Sequence, residues 1–144
     1  MISNHNDLKT INIKKLIKIP KKDITFLWSI NHYDGWRTGV GKYKDQPVYF
    51  QFVGDDYHGE HQPYIVLRLS DDDWHRLRGN QIVWEYYVGT HTRLNPDGSR
   101  PKDAKVHSYA DVNYYYSLRR NHDVVFRKED LLGWFERNEK DYPR

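Results

Sequence analysis

Cysteine is missing from the 144-residue sequence, and so are long apolar runs. Without cysteine the chain has no disulfide framework, no thiolate metal site and no cysteine nucleophile. No apolar stretch approaches the roughly 20 residues of a membrane-spanning helix, and the N-terminus carries no apolar signal-peptide segment. We therefore expect a cytoplasmic protein that does not insert into a membrane.

The chain also has little net charge. Its 23 basic and 20 acidic residues leave an excess of +3, which is too small to indicate a nucleic-acid partner by itself. The charges are unevenly spread, with nine basic against four acidic residues in 1–48, three against seven in 49–90 and eleven against nine in 91–144. The length predicts a single domain over 1–144, with a basic N-terminal segment over 1–22.

Alternating apolar residues predict a core of three successive strands, over residues 24–30, 37–43 and 48–53. Asp34-Gly35 supplies a turn before the second of these strands, because glycine accepts positive φ at no steric cost. Within that strand, Gly39 and Gly41 leave room for a neighbouring ring to lie against the backbone. We expect one contiguous buried cluster, formed by Phe26, Trp28, Phe50, Phe52, Leu67, Trp74, Leu77 and Trp84.

The strands at the two ends of the chain are harder to define. Over residues 11–19, isoleucines occupy alternate positions and lysines lie between them. This pattern predicts an edge strand, which ends at Pro20. A short helix carrying Ile13, Leu16 and Ile17 is the alternative. A further strand covers 64–69, and Val124 to Phe126 suggest a last one. Residues 128–137 then form a short helix, or Leu131 to Phe135 continue the sheet.

Two helices follow the fourth strand in this interpretation. Ser70 is the natural N-cap of the first, three aspartates complement its positive end, and Gly89 stops it after Val88. Ser108, with Asp111 three residues later, resembles a cap for a second helix that runs to about Arg120. The predicted fold is α+β, a mostly antiparallel sheet of about five strands with two helices packed on one face.

Short segments of the chain resemble a recurrent pattern. The segments are Tyr33-Asp34-Gly35 with Gly39, Tyr43 and Tyr49-Phe50, then Val88-Gly89-Thr90-His91-Thr92, then Gly133-Trp134-Phe135. This pattern is similar to that of small uncharacterised bacterial proteins, although Trp36 and Thr38 stand where those proteins have proline and serine. The resemblance implies a bacterial protein built on such a hairpin, and it carries no catalytic residue and no established activity.

The polar loop from Asp55 to Gln62 is the first candidate site. His58, Glu60 and His61 offer imidazole and carboxylate ligands that suit Zn²⁺ or Mn²⁺. Gly59 makes the loop flexible, so coordination alone would have to offset the entropy lost on ordering. We predict that this loop holds no metal or other cofactor, and that it presents Tyr57, His58 and His61 to a partner.

Two further groups of residues have candidate roles. His91 and His107 could act as general acid and base, but they lack a defined spacing to a nucleophile, which favours loop histidines bonded to backbone. Tyr114, next to two more tyrosines and ahead of Arg119 and Arg120, could stack on bases and contact phosphates. The alternative for this segment is an amphipathic helix with two tyrosines in the core.

Three functions remain, in decreasing order of preference. The first is a non-enzymatic binding protein that recognises another protein, as accessory, immunity or phage-defence-related proteins do; five Trp, twelve Tyr and five Phe favour it. The second is a nucleic-acid-binding module that combines Arg119 and Arg120 with a set of N-terminal lysines, namely Lys14, Lys15, Lys18, Lys21 and Lys22. The third is a metal-assisted hydrolase built on His58, Glu60 and His61.

Overall fold

The computed structural model describes residues 8, 10–31, 37–54 and 61–138. They contain one antiparallel sheet in which every strand pairs with the next along the chain. Its strands are β1 (Ile24–Asn31), β2 (Thr38–Tyr43), β3 (Gln46–Phe52), β4 (Gln62–Arg68) and β5 (Leu131–Arg137). Two helices, α1 (Asp71–Tyr87) and α2 (Asp111–Ser117), lie between β4 and β5. The predicted α+β class and the five-stranded antiparallel sheet are confirmed.

The sheet curls until side chains from its first and last strands touch. The ring of Phe26 on β1 lies 5.6 Å from the ring of Phe135 on β5, centroid to centroid, and 5.3 Å from that of Phe50 on β3. β1 and β5 stand at opposite ends of the strand order. Contact between them therefore requires strong curvature, which encloses the concave face of the sheet.

The segment just before β1 covers the outer edge of β5. The amide of Ile19 donates to the carbonyl of Trp134 at 2.7 Å, and the amide of Trp134 donates to the carbonyl of Ile17 at 3.0 Å. A Cβ at Gly133 would lie 2.5 Å from the Ile17 carbonyl oxygen, so the close approach depends on glycine. This contact protects an edge that would otherwise offer free backbone groups.

The buried side chains form two clusters, one on each face, so the prediction of a single contiguous cluster is wrong. Leu27 is an extra residue between Phe26, which pairs with Gly41, and Trp28, which pairs with Val40. This bulge turns Phe26 and Trp28 to opposite faces. The inner cluster comprises Ile19, Ile24, Phe26, Val48, Phe50, Phe52, Tyr64, Val66, Leu94 and Phe135. The outer cluster comprises Leu8, Trp28, Val40, Ile65, Leu67, Leu69, Leu77 and Phe126.

Burial of the two helix tryptophans also differs from the prediction. Leu77 of α1 is 3% exposed and belongs to the outer cluster, whereas Trp74 and Trp84 are only partly buried. Trp74 stacks on Trp28 with ring centroids 5.8 Å apart. Trp84 lies three turns further along α1 and contacts α2 instead. The first half of α1 therefore packs on the sheet, and the second half of α1 packs on α2.

The two uncertain ends of the chain resolve differently from the first interpretation. The edge strand predicted over 11–19 is reduced to a single parallel bridge between Lys18 and Trp134. A 3₁₀ turn at Ile13–Lys15 precedes it, and the side chain of Asn12 accepts from the amide of Lys14. Residues 124–126 are no strand either, since Phe126 fills the outer cluster and lies 5.3 Å from the ring of Tyr49. The alternative prediction, that Leu131 to Phe135 continue the sheet, is confirmed.

Turn and cap chemistry explains where the elements begin and end. Lys44 and Asp45, with φ of 50° and 63°, form the two-residue turn between β2 and β3. The turn predicted at Asp34-Gly35 lies outside the described residues. The ring of Phe50 packs directly against Gly39, which confirms the predicted ring-on-glycine contact there.

The first helix cap is confirmed, and the second is wrong. The hydroxyl of Ser70 accepts from the amide of Asp73 at 3.1 Å, and α1 ends at Tyr87 just before Gly89, whose φ is +148°. α2 begins at Asp111 after Ala110, which provides no side-chain cap. Ser108 therefore does not cap this helix, and α2 stops at Ser117 instead of continuing to Arg120.

Candidate functional site

Aromatic rings join α1 to α2 and to the loop between them. Trp84 on α1 meets Tyr115 on α2 edge to face, with ring centroids 5.1 Å apart. The same indole lies 5.9 Å from the ring of His91 and 6.3 Å from that of Tyr116. With two more rings in contact, these side chains form what we call the aromatic patch: Trp84, His91, Tyr109, Tyr115, Tyr116 and His122.

The aromatic patch has buried rings beneath exposed ones. Tyr115 is 2% exposed, His91 is buried and Trp84 is half-buried. Tyr109 and Tyr116 are 76% and 59% exposed, and each rests on a less exposed ring of the patch. Since the supporting rings are packed, the two exposed tyrosines project into solvent from a fixed base.

Asn80 fastens the end of the patch to α1. Its side-chain amide donates to the carbonyl of Asn121 at 2.7 Å, and its side-chain oxygen accepts from Nε of Arg120 at 2.7 Å. The hydroxyl of Tyr115 donates to the backbone carbonyl of Asn80 at 3.4 Å and hydrogen-bonds with Nε2 of His122 at 3.2 Å. A buried amide thus holds the chain after α2 in place, and sequence reasoning missed it because one asparagine in a helix gives no distinctive signal.

The environment of the two histidines favours their neutral form. Burial lowers the pKa of His91, and the positive charges of Arg100 and His107 lower it further, while a hydrogen bond to the Lys105 backbone acts in the opposite direction. Burial also lowers the pKa of His122, and Arg120 adds to that effect. The patch is therefore uncharged near neutral pH, with arginine cations close to both of its ends.

Burial likewise affects the central tyrosine. It raises the pKa of Tyr115 to about 12, although the charge of Arg120 acts to lower it. The hydroxyl consequently stays protonated and keeps donating its hydrogen bond across the physiological range. Tyr115 therefore gives the exposed ring of Tyr116 a stable support.

No known family, curated protein or solved structure matches the chain. The site is accordingly defined by its own geometry. Among the described helices, none is both long and apolar enough to cross a membrane.

Three of the sequence-predicted binding residues lie at or beside the aromatic patch. His91 belongs to it, and Arg120 lies beside it through Asn80. Arg119 follows α2 with φ of 52° and is exposed. Tyr114 is 49% exposed and packs on Tyr87 of α1 at 4.8 Å, in a neighbouring group of rings.

His61 is placed elsewhere, and the other two predicted loop residues, Tyr57 and His58, lie outside the described residues. Nδ1 of His61 pairs with Oε1 of Glu136 on β5, and Nζ of Lys18 pairs with Oε2 of the same carboxylate at 3.2 Å. Burial acts to raise the pKa of Glu136, but hydrogen bonds from His61 and Lys18 hold it below its usual range. Within the described ranges, no three histidine or carboxylate side chains gather with metal-ligand geometry.

The predicted joint surface of N-terminal lysines and arginines gains no support from the described contacts. Lys18 lies over the Trp134 ring at 5.1 Å, and Lys21 lies over that of Phe26 at 6.0 Å. These lysines thus contact β5 and β1, whereas Arg120 contacts α1. The arginines belong with the aromatic patch instead.

Proposed function

We propose that the protein is a non-enzymatic binding protein that holds a macromolecular partner against the aromatic patch. The observation that carries this proposal is the pair of exposed rings, Tyr109 and Tyr116, held on buried rings of the same patch. Tyrosine supplies a large contact area with only two side-chain torsions to fix. Rings that are already held lose less entropy on binding, which favours a docking surface.

The polar groups of the patch support binding over catalysis. His122 hydrogen-bonds with the hydroxyl of Tyr115, and that hydroxyl also bonds to the backbone of Asn80. His91 is buried beside Trp84. Each of these titratable groups therefore has a part in holding the surface together, which a static recognition surface needs.

The other functions predicted from the sequence stay predictions. An accessory, immunity or phage-defence role with a protein partner is compatible with the same surface. A metal-assisted hydrolase would need His58 and Glu60, which lie outside the described residues, together with His61, whose Nδ1 pairs with Glu136. A cytoplasmic location and a bacterial source likewise rest on the sequence alone.

Site-specific photo-crosslinking tests the proposed function. A photoreactive phenylalanine analogue would replace Tyr109 or Tyr116 and, as a control, Tyr86, which is 77% exposed on α1 but outside the patch. After irradiation in extracts of cells that express the protein, we expect a discrete crosslinked product from the two patch positions and little from Tyr86. Equal products at all three positions, or none at the patch in variants that melt like the wild type, would refute the proposal.

A further inference from the structure

Positive charge brackets the exposed rings. At one end, Arg100 and His107 act electrostatically on His91, which supports Tyr109. At the other end, the guanidinium of Arg120 lies along α1, with Nη2 3.5 Å from the position that a Cβ would take at Gly79. The fork is anchored there by the hydrogen bond from Nε to Asn80.

Two carboxylates of α1 are engaged by other cations. Glu85 on α1 accepts from Nε of Arg93 at 2.7 Å. Asp73 pairs with Arg76 at 2.8 Å. Asp123 remains beside His122 and contributes negative charge there, against Arg120 and Arg76 on the same ring. Asp111, in the first turn of α2, also contributes negative charge near Tyr87. At the rings of His91 and His122 themselves, the cationic groups outnumber the carboxylates, which complements an anionic partner.

We propose that the aromatic patch binds a single-stranded nucleic acid, with bases stacked on Tyr109 and Tyr116 and phosphates beside Arg100, Arg119 and Arg120. This inference rests on the proposed function and names the partner. Single strands expose the faces of their bases, which exposed tyrosine rings can stack on without regard to sequence. A duplex keeps those faces covered, so the rings would gain little from it.

The tyrosines and arginines contribute to different terms of this binding. Stacking on a ring adds affinity that depends little on salt, whereas each cation near a phosphate releases counterions and steepens the salt dependence. A protein partner with carboxylates opposite Arg100 and Arg119 would also bind more weakly at high salt. Preference for a single strand over a duplex therefore identifies a nucleic-acid partner, and the salt slope reports the phosphates that the arginines contact.

Fluorescence anisotropy with labelled mixed-sequence oligonucleotides tests the stacking. We expect the full chain to bind single-stranded DNA or RNA at low salt at least tenfold more tightly than a duplex of the same sequence. Tyr109→Ala and Tyr116→Ala should each weaken binding by about tenfold, the typical effect of losing one stacked base. Tyr86→Ala, which removes a more exposed tyrosine outside the patch, should leave the affinity unchanged.

The charge arm uses Arg100→Gln and Arg119→Gln, because neither arginine side chain forms a hydrogen bond or ion pair with another described residue. Each should reduce the slope of log affinity against log salt by about 0.7, the contribution of one phosphate contact on a single strand. Arg68→Gln, at the end of β4 and paired with Asp130, is the charge-matched control. Melting temperatures confirm that every variant is folded.

The outcomes separate the two proposals. Failure of single strands to bind, equal affinity for duplex, or unchanged salt slopes would overturn the nucleic-acid inference. If the crosslinked product at Tyr109 and Tyr116 then keeps its size after nuclease treatment, the proposed function stands with a protein partner. If the patch also gives no crosslinked product, both proposals are wrong.

Discussion

At the scale of single residues, we expect alanine substitutions at two glycines of the helical region to change stability in opposite directions. Gly89 has φ of +148°, and a Cβ there would collide with the carbonyl of Lys105 and lie 2.8 Å from Cα of Val106. Gly89→Ala should therefore lower the free energy of unfolding by about 1–3 kcal/mol, the usual range for a strained backbone position. Urea denaturation followed by circular dichroism measures this change.

Gly79 is the matched control for that substitution. It lies inside α1, and the nearest atom to an added Cβ is Nη2 of Arg120 at an ordinary contact distance of 3.5 Å. Gly79→Ala should raise stability by about 0.5–1 kcal/mol, because alanine loses less backbone entropy in a helix. Equal effects of the two substitutions would show that the backbone at Gly89 is relaxed.

A core residue gives the second prediction at this scale. Phe50 is fully buried, touches Phe26 and Phe135, and has its ring against Gly39. Phe50→Ala should cost about 3–5 kcal/mol, since the inner cluster would be left with a cavity. The same substitution at the half-exposed Val125 should cost less than about 0.5 kcal/mol. A small loss at Phe50 in denaturant titration would mean that the concave face is loosely packed.

At the scale of elements, the caps of the two helices can be compared directly. Ser70 accepts a hydrogen bond from Asp73, whereas Ala110 gives α2 no side-chain cap and leaves Ser108 without that role. We expect Ser70→Ala to lower stability by about 1 kcal/mol and Ser70→Asp to retain it. Ser108→Ala should change stability by less than about 0.5 kcal/mol. A larger loss at Ser108 in thermal melts would contradict the observed start of α2.

Elements were predictable from the sequence wherever one local signal decided them. Alternation located the central strands, and serine, aspartate and glycine bounded α1. The bulge at Leu27 could not be predicted, because its only effect is that Phe26 and Trp28 lie on opposite faces of the sheet instead of on the same face. The strand predicted over 124–126 fails for a different reason, since an apolar triplet fits a strand and a covering segment equally well.

The site was predictable only in part. The residue types alone mark His91, Arg119 and Arg120 as candidates. The sequence places Trp84 in the core and gives Asn80 and Tyr109 no binding role. The aromatic patch depends on α2 folding back onto the second half of α1. That contact is tertiary, and no spacing within either helix specifies it.

At the scale of the whole molecule, the two lowered histidine pKa values predict how stability depends on pH. The folded chain holds His91 and His122 below their ordinary value of 6.5, so the unfolded chain takes up protons first as the pH falls. The contribution of this effect to stability is complete above about pH 6.5 and is lost progressively below it, down to the pKa values of the folded state.

Melting temperatures between about pH 7.5 and pH 5.5 test this dependence. We expect the melting temperature to fall across that interval, and to fall less when His91 and His122 are both replaced by glutamine. Glu136 acts in the same direction only at lower pH, because its folded-state pKa is held below the ordinary carboxyl value of 4.5. An identical decline in wild type and double variant would assign the effect to other groups.

The curl of the sheet has a consequence for how the protein is made. Phe135, which completes the inner cluster against Phe26, lies on the last strand, after both helices. While the ribosome is still adding the helices, the first four strands have emerged with an open concave face and an unpaired edge on β4. Such a nascent chain exposes apolar surface to neighbouring polysomes, and chaperones would have to shield it until Leu131–Arg137 leaves the exit tunnel.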